Sequence, residues 1–219
     1  TLVVDGNRIV AVGPTADVGV PNDAHVIDAT GKTLMPGLVD MHGHLDGCYY
    51  ASAGLLPQQQ ASRYAALSFG ITTNYDPYTS ELPTYGVTEM TQTGAMVGPR
   101  TIAVGSVIFG RKRKYDPVYV DAVAVMDRKN ALGGTIIKSY RQIQRKQRQM
   151  LVKAGREKGI MVDVEGESHF FNGVTAILDG NLNLQHNVPV ETLYDDFIQL
   201  MAKSDVAHTP TLIVLFGEL

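Results

Sequence analysis

The stretch Leu38-Val39-Asp40-Met41-His42-Gly43-His44 decides how this chain is read. Leu38 to His42 forms a short apolar strand, introduced by the turn-forming pair Pro36-Gly37. Alternate residues of a strand point to the same side, so His42 and His44 can turn two imidazoles toward one point. Gly43 between them leaves room for close approach. Two imidazoles at this spacing, at the C-terminal end of a strand, suit a divalent metal ion.

Toward the C-terminus the chain alternates. Predicted strands follow at 71–76, 101–108, 135–140, 160–165, 183–186 and 210–216. Between them lie predicted helices at 57–69, 86–97, 118–131, 142–158, 170–179 and 191–204. The last helix shows its stripe plainly, with Leu193, Phe197, Leu200 and Met201 on one face. Parallel strands need crossover connections, so this alternation predicts a parallel α/β sheet. No strand is followed by GxGxxG or GxxxxGK[ST]. The architecture expected is therefore a (β/α)8 TIM-type barrel, incomplete here at about seven strands of eight. Barrel enzymes keep their sites at the C-terminal strand ends, where His42 and His44 fall. Toward the N-terminus the rhythm is different. LVVDGNRIVAVG turns at Asp5-Gly6-Asn7 and reads as a hairpin, and HVIDATGKTLM as a strand, a turn and a strand start. Residues 1–34 are thus expected to form a small accessory sheet, and 35–219 the barrel.

Of the 219 residues, 44% are hydrophobic and 19% charged, which supplies a core and excludes global disorder. No apolar run in these 219 residues approaches the length of a membrane span or reads as a signal peptide, so no membrane partner is expected. The lone Cys48 excludes a disulfide scaffold or a CxxC site. A formal net charge of −3 argues against a nucleic-acid-coating protein. The charge is uneven, however. Residues 111–158 carry 14 of the 19 basic residues, including Arg111-Lys112-Arg113-Lys114 and the run from Arg141 to Arg148. These read as a loop and a solvated helix face, with an anion or nucleic-acid patch as the alternative. No aromatic residue alternates with the 141–148 charges, which speaks against stacking on bases.

Three further residues sit at predicted strand ends. Lys138 lies near the end of TIIKSY, Glu165 ends IMVDVE and His186 ends NLQH. With His42 and His44 they place five nitrogen or oxygen donors at the ends of four strands. Such a set suits Zn2+, or less selectively Mn2+ or Fe2+. Lys138 reads either as a salt-bridged lysine or as a carbamylated one, an anion with two oxygens able to bridge two cations. His169, in a loop or helix start four residues past Glu165, reads as a ligand or a group behind one, and His208 as facing the barrel mouth; both are candidate substrate-binding residues, and His25 reads as a surface histidine.

At these residues the sequence resembles the amidohydrolase superfamily. GNRIVAVG followed by VIDATGKTLMPGLVDMHGH is similar to that superfamily's entry segment, where a small β-sandwich leads into the barrel. GGTIIKSY, GIMVDVEGE and LDGNLNLQHNVP resemble its fourth, fifth and sixth strand segments, and other stretches a prolidase- or imidazolonepropionase-like subgroup. The resemblance implies metal binding by His42, His44, Lys138 and His186. Glu165 stands where most members carry histidine, which adds negative charge and alters metal preference. The resemblance also implies a strand-eight aspartate as general base, which lies outside the 219 residues.

The function expected is metal-dependent hydrolysis of an amide, peptide or cyclic amide C–N bond on a small molecule or short peptide. A mononuclear deaminase or imidazolone-type hydrolase with unmodified Lys138 is the alternative. A catalytically inactive fragment or scaffold is the third reading, with self-association through open barrel edges expected. The sequence leaves substrate, metal count and compartment open.

Overall fold

A computed structural model describes residues 1–46, 59–109, 119–142, 144–166 and 169–216. Cys48, Arg111 to Lys114 and the start of the predicted helix 57–69 lie outside these residues. The chain divides into two compact units, Thr1–Pro36 and Gly37–Leu219. In the first, β1 (Leu2–Asp5) and β2 (Arg8–Val12) pair antiparallel as the predicted hairpin, with Gly6 at φ 58° in its turn. HVIDATGKTLM contains no strand among the described residues.

The second unit alternates as the sequence predicts: β3 (Leu38–Asp40), α1 (Ala61–Ser68), β4 (Ile71–Asp76), α2 (Glu81–Gln92), β5 (Arg100–Ala103), β6 (Ile108–Phe109), α3 (Tyr119–Ala131), β7 (Ile136–Tyr140), α4 (Arg145–Lys158), β8 (Met161–Glu165), α5 (Phe170–Leu178), β9 (Asn183–Gln185), α6 (Asp195–Lys203), β10 (Ala207–Thr209) and α7 (Leu212–Phe216). The strands form two parallel sheets, ordered β3-β4-β5 and β10-β9-β8-β7-β6. Among the described residues β3 and β10 are each the edge of their own sheet.

Three expectations are corrected. The predicted strand 101–108 is two strands in two different sheets. Between them Lys129 Nζ donates to the carbonyls of Val104 (2.9 Å) and Ser106 (3.2 Å), which satisfies acceptors that a continuous ladder would have used. The predicted strand 210–216 is a helix, and the strand lies just before it at Ala207–Thr209. Thr211, at φ 42°, turns the chain out of the strand direction. The helix expected at 86–97 begins at Glu81, with Pro83 in its first turn, where a missing N–H costs nothing.

The basic run at 141–148 is also not wholly a solvated face. Arg148 is buried, its Nε donating to Asp179 Oδ2 (2.9 Å) and its Nη1 to Gln142 O (2.6 Å). Arg145 grips the other Asp179 oxygen at 2.7 Å. Both guanidinium groups serve an internal carboxylate and so are not a free anion patch.

The core lies on one face of the five-stranded sheet. Met126, Ile137, Leu151, Val152 and Val162 pack α3 and α4 against β7 and β8. Val164, Ile177, Leu184 and Phe197 pack α5 and α6 against β8 and β9. Strand alternation then places Lys138, Asp163, Glu165, Asn183 and Gln185 on the opposite face, and all five are buried. Parallel strands covered on both faces usually read as continuous apolar runs. Here the face opposite the core is polar toward the C-terminal strand ends, beyond Ile136 and Met161, and it carries the candidate site.

Candidate metal centre

His42 and His44 lie just past the end of β3, and Gly43 holds them close to the neighbouring strand. Its N–H donates to Tyr75 O (3.0 Å), and Asn74 Nδ2 donates to its carbonyl (2.9 Å). A Cβ built on Gly43 would fall 2.0 Å from Asn74 Oδ1 and 2.7 Å from Asp40 Oδ2, so glycine is required there by space. The two rings stand 5.0 Å apart, and His186 stands 4.8 Å from His42. Lys138, Glu165 and His186 come from β7, β8 and the residue after β9. All five line one cavity of about 510 Å³.

Each imidazole is held from behind. His42 Nδ1 donates to Gln185 Oε1 at 2.5 Å, Gln185 Nε2 donates to Asp163 Oδ2 (2.9 Å), and Tyr75 OH donates to the same oxygen (2.6 Å). His44 Nδ1 donates to Tyr78 O (3.2 Å) and lies 3.3 Å from Asp76 Oδ1. With Nδ1 engaged in this way, Nε2 is the nitrogen that each ring can offer a cation. Burial lowers the His42 pKa to about 4, helped by the charges of Lys138, His186 and His44 and opposed by the Gln185 bond. His42 is therefore a neutral ring at physiological pH, the form that ligates metal. Burial pushes the Asp163 carboxyl up to about 6.

Glu165 is shared. Oε2 lies 2.6 Å from Lys138 Nζ, and Oε1 contacts His186 Nε2. Burial alone would raise its pKa, but the His186 bond and the Lys138 charge outweigh that and hold it below its usual value. Among the described residues, no three His, Cys, Asp or Glu side chains are arranged to hold one ion. The donor set nevertheless fits a divalent cation: two rings presenting Nε2, with a third ring and an ionised carboxylate in the same cavity.

His169 and His208 are not brought to the cavity. His169 caps α5, accepting from Asn172 N at 3.4 Å, and His208 Nε2 donates to His186 O at 3.0 Å. His25 lies in the N-terminal unit and is exposed. Gln185, Asp163 and Thr211 were not singled out in the sequence. The available signal was the polar residue alternating with apolar ones inside MVDVE and NLQ.

Residues 25–95 match the family described as Amidohydrolase family. The chain is 50% identical over 44 residues to a dihydroorotase of Mycobacterium tuberculosis, a stretch covering 20% of this chain and 10% of that protein. It is 39% identical over 75 residues to an enamidase of Eubacterium barkeri, covering 33% and 18% respectively. The matched stretches thus span less than a fifth of either relative. A putative prolidase from Bifidobacterium longum shares the fold with a TM-score of 0.75 and 20% identity, over 96% of this chain and 55% of that one. Residues 25–95, which include His42 and His44, are thus similar to the amidohydrolase family, and the chain shares its fold with the prolidase over nearly its whole length.

Proposed function

We propose that this chain carries the metal- and substrate-binding part of a hydrolase acting on an amide, peptide or cyclic amide C–N bond. The observation that carries this reading is the convergence of His42, His44, Lys138, Glu165 and His186 on one cavity at the C-terminal ends of parallel strands. The two sheets are read as parts of one barrel around it. The names of the relatives, a dihydroorotase and an enamidase, support a C–N bond as the target.

A divalent ion held by His42, His44, His186 and Glu165, most simply Zn2+, would supply Lewis acidity and a water activated near neutral pH. The protein's own groups do the rest. Gln185 and the carbonyl of Tyr78 fix the rings of His42 and His44 in the ligating tautomer. Glu165 stays ionised and supplies counter-charge. Tyr78 and Tyr140, 5.9 Å apart with Phe109 against both, form an aromatic side of the cavity that suits an apolar substituent beside the scissile bond.

One observation favours the mononuclear reading. Lys138 and Glu165 form a buried ion pair, which suits an ammonium, whereas carbamylation would turn the lysine into a bridging anion. The test is elemental analysis of the wild type and of the double variant His42→Ala/His44→Ala after reconstitution with and without bicarbonate, alongside a panel of amide substrates. Loss of most metal from the double variant is expected, and equal metal in both proteins would refute the assignment. Bicarbonate-dependent uptake of a second ion would decide for the carbamylated lysine.

A further inference from the structure

His186 and Thr211 are two of the four non-glycine residues with positive φ among the described residues, at 70° and 42°. They lie 25 residues apart in sequence and meet at the cavity wall, where Thr211 Oγ1 lies 2.6 Å from His186 Nδ1. A β-branched residue in the left-handed region is strained, and such strain persists only where the surroundings over-determine it. The surroundings do so here. His186 N donates to Thr209 O (2.9 Å), and His208 Nε2 donates to His186 O (3.0 Å). Backbone N–H, backbone carbonyl and Nδ1 of His186 are thus all held by residues 208–211. Its Nε2 faces Glu165 Oε1.

We infer that residues 208–211 are a clip that orients His186, with Thr211 as its positioning residue; this rests on the reading of His186 as a metal ligand. The chemistry of the hydroxyl explains why it is there. In a neutral ring, an Nε2–H that donates to Glu165 leaves Nδ1 to accept from Thr211 Oγ1–H. Were Nε2 to give its lone pair to a cation, the neutral ring's one proton would reside on Nδ1, and Nδ1–H would donate to Thr211 Oγ1. The ring gains and loses no net proton in this change of tautomer. A carbonyl oxygen could serve only the second state, whereas a hydroxyl donates and accepts and so serves both. Thr211 lets His186 exchange a carboxylate partner for a metal without the ring leaving its place.

Three variants of the full 219-residue chain test this. Thr211→Val keeps the shape and removes the hydroxyl, Thr211→Ser keeps the hydroxyl, and Thr211→Gly removes it while accepting the positive φ, which covers the case of an unstable valine variant. Zn2+ affinity is measured by calorimetry, and the His186 ring tautomer in metal-free protein by 15N NMR. The serine variant is expected within about threefold of wild type. The valine and glycine variants are expected to lose about 10- to 100-fold in affinity, and in metal-free protein their ring is expected to pass from one tautomer to a mixture. Unchanged affinity in the valine or glycine variant, or equal loss in the serine variant, overturns the clip. If the wild type binds no Zn2+, the metal-site reading falls, and the metal-free NMR alone decides: a ring undisturbed by Thr211→Val or Thr211→Gly overturns the clip, and a disturbed one supports it.

Discussion

Gly43 shows how little space separates the two histidines from the rest of the site. Any side chain there meets Asn74 and Asp40, and Asn74 is fully buried. Gly43→Ala is expected to destabilise the fold by about 1–3 kcal/mol through overpacking and to lower bound metal, because either the two histidines or Asn74 must move. Thermal unfolding and metal content check this together; a variant as stable and as metal-rich as the wild type would show that the segment gives way easily. At this scale much was legible. HGH, and the polar residues closing TIIKSY, VDVE and NLQH, stand out because a buried polar residue at a strand end calls for a partner. The roles of His169 and His208 were not legible, since a helix cap and a bond to a distant carbonyl depend on neighbours the sequence does not show. The Tyr75–Asp163 bond spans 88 positions and leaves no local trace.

Among the elements, the break between β5 and β6 has the clearest physical cause. Residues 101–108 are mostly good strand formers, and the one local mark of the break is Gly105, at φ 72°. A second cause sits on α3. Lys129 is buried with Glu81, at 2.6 Å, and gathers two carbonyls of the break. Burial lowers its pKa, against the Glu81 bond and charge. Lys129→Met would leave Glu81, among the described residues, with the exposed Arg128, would leave Val104 O with the longer Tyr85 OH bond (3.3 Å), and would take the Lys129 donor from Ser106 O. A loss of about 3 kcal/mol is expected, as for a broken buried ion pair, read as a lower denaturant midpoint at unchanged slope. A shift under about 0.5 kcal/mol, the size of an ordinary surface substitution, would show that the break needs no pin. The misplaced last strand has a similar lesson. LIVLF is apolar and β-branched and reads as a strand, but Thr211 reverses the backbone before it, and the pairing falls to the unremarkable Ala207–Thr209.

At the scale of the whole molecule, the β-α rhythm and its parallel sense were legible, because crossover length and hydrophobic periodicity are written locally. The division of the strands between two sheets was not. Among the described residues the chain passes from one sheet to the other once, through Val104 to Val107. Across the interior the polar faces meet at Tyr75–Asp163 and His42–Gln185, both beside the cavity. The site therefore doubles as a fastening between two halves, each of which has its own ladder of amides. In hydrogen-exchange terms, the three strands Leu38–Ala103 and the five strands Ile108–Thr209 are candidates for separate cooperative openings whose free energies are joined through the site. Tyr75→Phe removes one fastening without altering the cavity lining. Its amides in β3, β4 and β5 are expected to exchange faster, while those of β7 and β8 keep their protection; an equal loss in both sheets would mean that they open as one. By the same coupling, whatever fills the cavity should slow exchange in β4, at amides that never touch it.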